Sequence, residues 1–257
     1  MSEVEYDVTD GIAEIRLNRP PVNALSLELV EGVIAALRLA AGDAAVRVVI
    51  LTSARPKVFC AGLDLDLVRG RSGVEFRRFL ERLYMELYDV QYRLGKPSIA
   101  AVEGAARAGG MTMALSCDMV IAGAEASFGY PEIDVGIVPA LHFVHLPRVA
   151  GRYRAFEPLF TGEPFGVDEA MELGLLSRKV EAGQALVAAR EVAAKLATKS
   201  PLILRLGREA FMRSNDLDYR RGFEQMAETL SLVVGTEDAQ EGLTAFVEKR
   251  PPNWRGT

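Results

Sequence analysis

The sequence predicts an α/β fold with a helical layer appended at its C-terminus. Three observations favour this class. Strand patterns alternate with amphipathic helical patterns in the first half of the chain, the order strand, strand, helix recurs, and from about Asp168 onward the apolar pattern is entirely helical. With 257 residues, of which 49% are apolar, the chain is long enough to bury one large core. We expect residues 1–199 to form the α/β core and residues 200–257 the helical region.

The elements of the core are predicted in chain order. Asp10-Gly11 between two alternating segments indicates a β-hairpin. Ser26 is a suitable N-cap for the amphipathic segment that follows, and Gly42 ends that segment. Segments rich in Val, Ile and Ala then predict buried strands between further helices. The predicted strands are residues 4–8, 12–17, 46–52, 97–102 and 117–122, and the predicted helices are residues 27–40, 74–94 and 109–116.

The C-terminal part of the chain carries a helical period throughout. Pro201 fits the first turn of one helix. The helices carry wide apolar faces that include Leu230, Leu232 and Phe246, and such faces on a peripheral layer are typical of subunit interfaces. We therefore expect this layer to mediate oligomerisation. Its predicted helices are residues 168–173, 184–198, 201–213, 219–234 and 237–248.

Composition and charge argue against several classes of protein. A net charge of -5 disfavours nucleic-acid binding, which needs clustered Lys and Arg. No apolar run approaches the roughly 20 residues that span a bilayer, and the acidic N-terminal residues do not resemble a secretory signal. Cys60 and Cys117 stand alone and the two histidines belong to no Cys/His cluster, so we expect reduced thiols and no metal site. These features predict a cytoplasmic protein with no membrane partner and no nucleic-acid partner.

Two segments rich in small residues are candidates for a ligand site. Residues 59–65 follow one strand, and residues 104–111 follow the strand that ends at Val102 and open a helix. Small side chains let a ligand approach the main chain, and free N–H groups at a helix start favour negative charge. Two such N–H groups that converge on one oxygen form an oxyanion hole. Either segment alone favours a simple tight turn, and only the two together indicate a ligand site.

Five motifs occur in order along the chain. They are Asn18-Arg19-Pro20 with Asn23-Ala24-Leu25, Phe59-Cys60-Ala61-Gly62-Leu63-Asp64-Leu65, Ala108-Gly109-Gly110, Pro131-Glu132, and Ala245-Phe246-Val247-Glu248-Lys249-Arg250. In order and spacing they resemble the signatures of the crotonase, or enoyl-CoA hydratase/isomerase, superfamily. The resemblance spans nearly the whole chain. It implies a crotonase-like spiral of ββα repeats with a C-terminal helical oligomerisation region, assembled as a homotrimer or a dimer of trimers.

The resemblance implies chemistry on an acyl-CoA thioester. It assigns the two oxyanion N–H donors to Leu63 and Gly109, where they stabilise an enolate. Hydratases of this family use two glutamates, whereas this sequence has one, Glu132 in the Pro131-Glu132 dipeptide, and Thr112 stands at the position of the other. A threonine hydroxyl stays protonated near neutral pH and is no general base without an activating partner.

A single glutamate in an apolar pocket favours double-bond isomerisation. Glu132 would take a proton from C2 of a 3-enoyl chain and return it to C4. Hydration or another thioester reaction, with water held by Thr112 or with His142 as a second acid or base, stays open at this point. So does a non-catalytic acyl-CoA-binding protein that kept the fold. No cofactor is expected, because coenzyme A is part of the substrate.

The resemblance also assigns a CoA-binding surface. It implies that the backbone of residues 61–64 and Ala24 contacts the adenine, and that Arg19 and Lys57 are phosphate partners. Phe246 and Lys249 are expected to reach the nucleotide bound by a neighbouring subunit. The expected substrate-binding residues are Arg19, Ala24, Lys57, Ala61, Gly62, Asp64, Gly110, Pro131, His142, Phe246 and Lys249. The acyl pocket is expected within residues 67–92, with Phe76, Phe79, Leu80 and Tyr84 as lining candidates.

Overall fold

A computed structural model describes residues 3–257 of the chain. Two sheets carry the strands. The six-stranded sheet has the order β1 (Val4–Thr9), β2 (Ile12–Leu17), β3 (Val48–Ser53), β5 (Ser98–Val102), β7 (Met119–Gly123) and β10 (Arg178–Val180). The four-stranded sheet has the order β4 (Val58–Cys60), β6 (Ala105–Arg107), β8 (Ser127–Gly129) and β9 (Phe165–Gly166).

The helices surround these sheets and continue beyond them. Those of the core are α1 (Leu27–Gly42), α2 (Gly73–Leu80), α3 (Leu87–Tyr92), α4 (Gly109–Leu115), α5 (His142–Ala150), α6 (Arg152–Thr161), α7 (Val167–Glu172) and α8 (Ala185–Ala197). The C-terminal layer contains α9 (Pro201–Ser214), α10 (Tyr219–Val234) and α11 (Glu237–Glu248). Within residues 3–257, no helix is both long enough and apolar enough to cross a lipid bilayer.

The predicted hairpin and first helix are confirmed. Asp10 and Gly11 both have positive φ, 50° and 77°, as the two central residues of a type I′ turn require. The Ser26 side chain caps α1 by accepting a hydrogen bond from the Leu29 N–H at 2.9 Å. This satisfies one of the donors that a helix start leaves without an intrahelical partner.

The repeated ββα unit is confirmed, and it sets the geometry of the site. In three successive repeats, β3 and β4, β5 and β6, and β7 and β8, the first strand enters the six-stranded sheet and the second enters the four-stranded sheet. The pairs β3–β5, β5–β7, β4–β6 and β6–β8 are all parallel. Because parallel strands end at the same edge of a sheet, the segments after β4 and β6 become neighbours.

The central strands are buried on both faces. Val49 and Leu51 of β3 face the main core, whereas Val48 and Ile50 face the small side chains of α8. A strand covered on both sides lacks polar alternation, so it appears in the sequence as a continuous apolar run. This explains why the Val- and Ile-rich segments were predictable as strands.

The expectation of an entirely helical chain after Asp168 is wrong. Arg178–Val180 forms β10, which pairs in parallel with β7 and extends the six-stranded sheet. Three residues with two exposed cations give no strand period, so the sequence carried no signal for it. The strands β4, β6, β8 and β9 were also not predicted, because two or three residues are too few to show a strand period.

One long helix was predicted for residues 74–94, and the structure interrupts it. Residues Glu81–Glu86 between α2 and α3 form a π-helix, in which each turn is wider than in an α-helix. Tyr84 lies in this segment. A π-helical turn changes which side chains of the helix face the core, and such turns are frequent at functional sites.

Candidate active site

The segment after β4 runs beside the segment that precedes α1. Leu25 donates its N–H to the Gly62 carbonyl at 2.7 Å, and Asp64 donates its N–H to the Leu25 carbonyl at 3.1 Å. In this parallel bridge, successive N–H groups point to opposite sides. The Leu63 N–H therefore points away from Leu25, and it has no hydrogen-bond partner among residues 3–257.

Glycine is required where the two small-residue segments touch. Gly62 has φ 91°, and a Cβ built there would lie 2.7 Å from the Ala108 Cβ. A Cβ at Gly110 would lie 2.4 Å from the Cys60 carbonyl oxygen. Any larger residue at these two positions would push the segments apart. The two candidate segments of the sequence thus lie in direct contact.

Ala108 turns the chain into α4. Its φ of 51° and ψ of -119° are unfavourable for a residue with a Cβ. The turn is held from both sides, because the Ala108 N–H donates to the Gly129 carbonyl at 3.0 Å and the Ala108 carbonyl accepts from the Met111 N–H at 2.9 Å. The Gly109 N–H that follows has no partner in the described part of the chain. Leu63 and Gly109 line one cavity and each carries an unpaired N–H group, which is the kind of donor from which an oxyanion hole is built.

A cavity of about 170 Å³ is lined in part by Leu63 and Gly109. Glu132 and Tyr84 are the only residues with ionisable side chains among those that line it, and the others are apolar or glycine. The lining residues are Leu63, Phe76, Phe79, Leu80, Leu83, Tyr84, Ala108, Gly109, Glu132, Ile137, Val138 and Ala140. All four predicted acyl-pocket residues belong to this set. The cavity can therefore hold an apolar acyl group whose carbonyl lies at Leu63 and Gly109.

Glu132 lies in a short 3₁₀-helix, Pro131–Val135, with Pro131 at its start. The residue is only 9% exposed, and its Oε2 has no hydrogen-bond partner within residues 3–257. Burial raises the pKa of Glu132 to about 7, with its own backbone N–H acting in the opposite direction. A carboxylate that is poorly solvated and titrates near neutral pH has the properties of a general base.

Thr112 and His142 are brought together by the fold, but behind the cavity wall. The Thr112 Oγ1 and the His142 Nε2 lie 3.1 Å apart, and both side chains are buried. The His142 ring also packs against Tyr130 with a centroid distance of 4.5 Å. Burial, with a smaller contribution from His145, lowers the pKa of His142 to about 3, so the imidazole is neutral at physiological pH. Neither Thr112 nor His142 lines the cavity.

Several known proteins are similar to this chain in both sequence and fold. A family model described as enoyl-CoA hydratase/isomerase matches residues 7–257. A probable mitochondrial enoyl-CoA hydratase 2 of Arabidopsis thaliana is 36% identical over 249 residues, 96% of this chain and 82% of the plant protein. The crystal structure of an enoyl-CoA hydratase from Bacillus anthracis matches with a TM-score of 0.93 at 35% identity, covering 99% of this chain and 100% of that chain.

This chain belongs to the enoyl-CoA hydratase/isomerase family.

Other members of the enoyl-CoA hydratase/isomerase family are similar over the full length. The 2,3-dehydroadipyl-CoA hydratase of Escherichia coli (strain K12) is 33% identical over 258 residues, covering 100% of both chains. An enoyl-CoA hydratase structure from Geobacillus kaustophilus HTA426 matches with a TM-score of 0.94 at 32% identity, covering 100% of this chain and 98% of that chain. The predicted crotonase-like fold, a mixed α/β core with C-terminal helices, is confirmed by these matches.

The residues assigned to CoA by resemblance occupy different environments. Arg19 forms ion pairs with Glu3 at 3.0 Å and with Asp64 at 2.7 Å, and it donates to the Ala24 carbonyl at 2.9 Å. Its guanidinium therefore holds the two segments around the site together. Asp64 also accepts a hydrogen bond from the Asp66 N–H at 3.1 Å, which caps a short 3₁₀-helix. Contact of these groups with CoA stays a prediction.

The remaining assigned residues are open to solvent or lie in another layer. Lys57, directly before β4, and Ala61, directly after it, are both exposed. Phe246 is 84% exposed on α11, and Lys249 ends that helix with a positive φ of 55°. Their predicted contact with a neighbouring subunit's nucleotide requires an oligomer.

Two features of the site were not predicted from the sequence. Tyr84 was expected only to line the pocket, because the apolar pattern of residues 74–94 predicted one continuous helix and not the π-helix that contains Tyr84. The positive φ of Ala108 was also unexpected, since alanine rarely adopts it. The only indication of an unusual backbone conformation at Ala108 was its place at the start of the Ala108-Gly109-Gly110 motif.

Proposed function

We propose that this protein isomerises the double bond of an enoyl-CoA thioester, with Glu132 as its base. The observation that supports the proposal is the buried carboxylate beside two unpaired N–H groups in an apolar cavity. Glu132 is the only carboxylate among the residues that line this cavity. A hydratase of this family would use two.

The proposed reaction begins with a 3-enoyl chain in the cavity and its thioester oxygen at Leu63 and Gly109. The Glu132 carboxylate removes a proton from C2, and the resulting dienolate is stabilised by the two N–H groups. Addition of a proton to C4 then gives the conjugated 2-enoyl product. Preorganised donors of this kind typically contribute about 3 to 4 kcal/mol each to transition-state stabilisation.

Hydration is the second candidate, because the similar proteins of Arabidopsis thaliana and Escherichia coli are named as hydratases. Hydration would need a second group besides Glu132 to hold the water molecule. The Thr112 hydroxyl is bonded to His142 and is buried behind the cavity wall, so the side chain would have to rotate to reach a substrate. We therefore favour isomerisation over hydration.

A spectroscopic assay separates these reactions. The protein is incubated with crotonyl-CoA and, separately, with a 3-enoyl-CoA, and the absorbance of the conjugated thioester is followed. Growth of the absorbance with the 3-enoyl substrate is expected, whereas loss of it with crotonyl-CoA would indicate hydration. Absence of either change across several chain lengths would refute both enzyme proposals and favour a non-catalytic acyl-CoA-binding protein.

Glu132→Gln is the decisive variant. The amide keeps the shape of the side chain but cannot accept the proton, so isomerisation should fall by at least about 100-fold. Asp134→Asn is the matched control, since Asp134 lies in the same 3₁₀-helix but is exposed. Full activity of Glu132→Gln would show that another group is the base.

We further propose that the C-terminal layer forms a homotrimer or a dimer of trimers. Phe211, Phe223 and Leu230 are each more than half exposed in the single chain, and an apolar surface of this kind is typical of subunit contacts. Light scattering after size-exclusion chromatography should give three or six times the mass of one chain. A monomer at micromolar concentration would refute this assembly and the cross-subunit role of Phe246 and Lys249.

A further inference from the structure

The acyl cavity contains one hydroxyl group that the proposed reaction has not used. Tyr84 lines the cavity with Glu132, and every other lining residue is apolar or glycine. Burial and, to a smaller extent, the charge of Glu132 together raise the pKa of Tyr84 to about 12, although a hydrogen bond with the Leu141 backbone acts in the opposite direction. The phenol is therefore protonated at neutral pH and can act as a proton donor.

Two neighbouring residues locate the Tyr84 side chain in the cavity. Leu83 lies at the thioester end, because its Cδ2 would be 3.3 Å from a Cβ built on Gly109. The Tyr84 hydroxyl lies near the Leu141 backbone, directly after the lining residue Ala140. Because Ala140, Tyr84 and Glu132 line one cavity, the phenol and the Glu132 carboxylate border the same space that an acyl group would occupy.

Apart from Glu132, Tyr84 is the only lining residue of this cavity that carries an ionisable proton. It lies in the π-helix Glu81–Glu86. Thr112 and His142 are bonded to each other behind the wall, so they do not supply a second proton-handling group inside the cavity.

We infer that Tyr84 is a second catalytic residue, which donates the proton to C4 of the dienolate while Glu132 retains the proton taken from C2. The inference rests on the proposed isomerisation.

The step balances without any further reactant. The C2–H bond breaks and its proton forms the O–H bond of Glu132, and the electron pair enters the dienolate. The Tyr84 O–H bond then breaks and its proton forms the new C4–H bond, which leaves a tyrosinate. Proton transfer from the Glu132 carboxyl group to the tyrosinate, directly or through water, restores both groups for the next turnover.

The test follows a deuterium label through a single turnover in ordinary water. The substrate is a 3-enoyl-CoA deuterated at C2, and the product is analysed by mass spectrometry for deuterium at C4. With Tyr84 as the donor, the wild-type product carries hydrogen at C4. In Tyr84→Phe, Glu132 must serve both carbons, so we expect about a 100-fold slower reaction and deuterium at C4.

Tyr88→Phe is the matched control. Tyr88 lies four residues further along the same helical stretch, but it lines a separate cavity of about 400 Å³. This variant should keep the wild-type rate and label pattern. Circular dichroism should show that both variants fold.

Three results would overturn the inference. A wild-type product with deuterium at C4, or a Tyr84→Phe variant with unchanged rate and label pattern, excludes Tyr84 as the donor while Glu132-dependent isomerisation stands. Equal loss of activity in Tyr88→Phe would show that the helix only needs intact packing. If the wild-type protein forms no conjugated product at all, the proposed isomerisation itself fails and the role of Tyr84 fails with it.

Discussion

Glu132 combines two properties that a surface carboxylate lacks. It is almost fully buried, and one of its oxygens has no hydrogen-bond partner among residues 3–257. Burial in a poorly polar environment disfavours the charged form of a carboxyl group. The same desolvation that makes the ionised group costly also makes it a stronger base.

The first prediction concerns the pH dependence of isomerisation. Because burial raises the pKa of Glu132 to about 7, the base is ionised above that pH and protonated below it. We expect kcat/KM to be constant above about pH 8 and to fall about tenfold per unit below about pH 6. Initial rates across this range would test it, and a profile that stays flat down to about pH 5 would contradict it.

The second prediction concerns stability. A carboxyl group whose pKa is higher in the folded state than in the unfolded state binds more protons when folded, so stability falls as pH rises between about 4.5 and 7. Replacing the Glu132 carboxyl group with an uncharged amide should recover the stability that is lost when this group ionises. Glu132→Gln should therefore be more stable than wild type by about 2 to 3 kcal/mol near pH 8 and equally stable near pH 4.

Urea unfolding at both pH values measures this difference. Asp134→Asn serves as the control, because that carboxylate is exposed and its removal should change the free energy of unfolding little at either pH. If Glu132→Gln is no more stable than wild type near pH 8, the carboxylate is better solvated than its burial indicates.

At the scale of elements, the site depends on two turns that touch. Gly62 after β4 packs on Ala108 before α4, and the N–H groups of Leu63 and Gly109 follow directly. Small shifts of either turn would change the distance between these donors. Catalysis that relies on preorganised donors is sensitive to shifts of this size.

The third prediction tests this contact by Gly62→Ala. The added Cβ would lie 2.7 Å from Ala108 at a φ of 91°, so both steric overlap and backbone strain oppose it. We expect a loss of about 2 to 4 kcal/mol in the free energy of unfolding and a larger relative loss in kcat than in substrate affinity. Gly70→Ala is the matched control, because Gly70 has a similar φ of 73° with nothing within 4 Å.

Gly70→Ala measures the cost of the backbone conformation alone, which is about 1 kcal/mol. Chemical denaturation and initial-rate kinetics of both variants provide the comparison. Equal effects of the two substitutions on stability and activity would show that the contact between Gly62 and Ala108 is unimportant.

At the scale of the whole molecule, a buried arginine joins the C-terminal layer to the core. Arg208 of α9 forms an ion pair with Asp118 at 2.8 Å and donates to the carbonyls of Tyr92 at 3.0 Å and Gln91 at 2.6 Å. Its side chain is only 7% exposed. These bonds connect α9 to the end of α3 in the core.

The fourth prediction is that Arg208→Ala destabilises the protein by about 3 to 5 kcal/mol, because it removes a buried ion pair with Asp118 and two hydrogen bonds to backbone carbonyl groups. Arg220→Ala is the control, since Arg220 is 90% exposed and pairs only with Glu224 four residues away. Its loss should change stability by less than about 0.5 kcal/mol. Thermal unfolding would compare the two, and equal effects would contradict the connecting role of Arg208.

The long elements of the fold could be predicted because they carry their own periodic signal. The buried strands β3 and β5 are rich in Val, Ile and Ala, and α1 has a capping serine and an apolar face. The short strands β4, β6, β8 and β9 have two or three residues each and no period of their own. They exist because neighbouring repeats offer partners for their backbone groups, which is information that no local segment contains.

The sequence by itself determined the ββα order, the two small-residue segments and the presence of a single glutamate at the expected positions. Only the tertiary structure decided that Gly62 touches Ala108, that Thr112 bonds to His142 behind the wall, and that Tyr84 shares the cavity with Glu132. The physical reason is that these relations depend on burial and on contacts between distant segments. Residue types and spacing constrain which groups are available, whereas packing decides which of them meet and how strongly their charge is disfavoured.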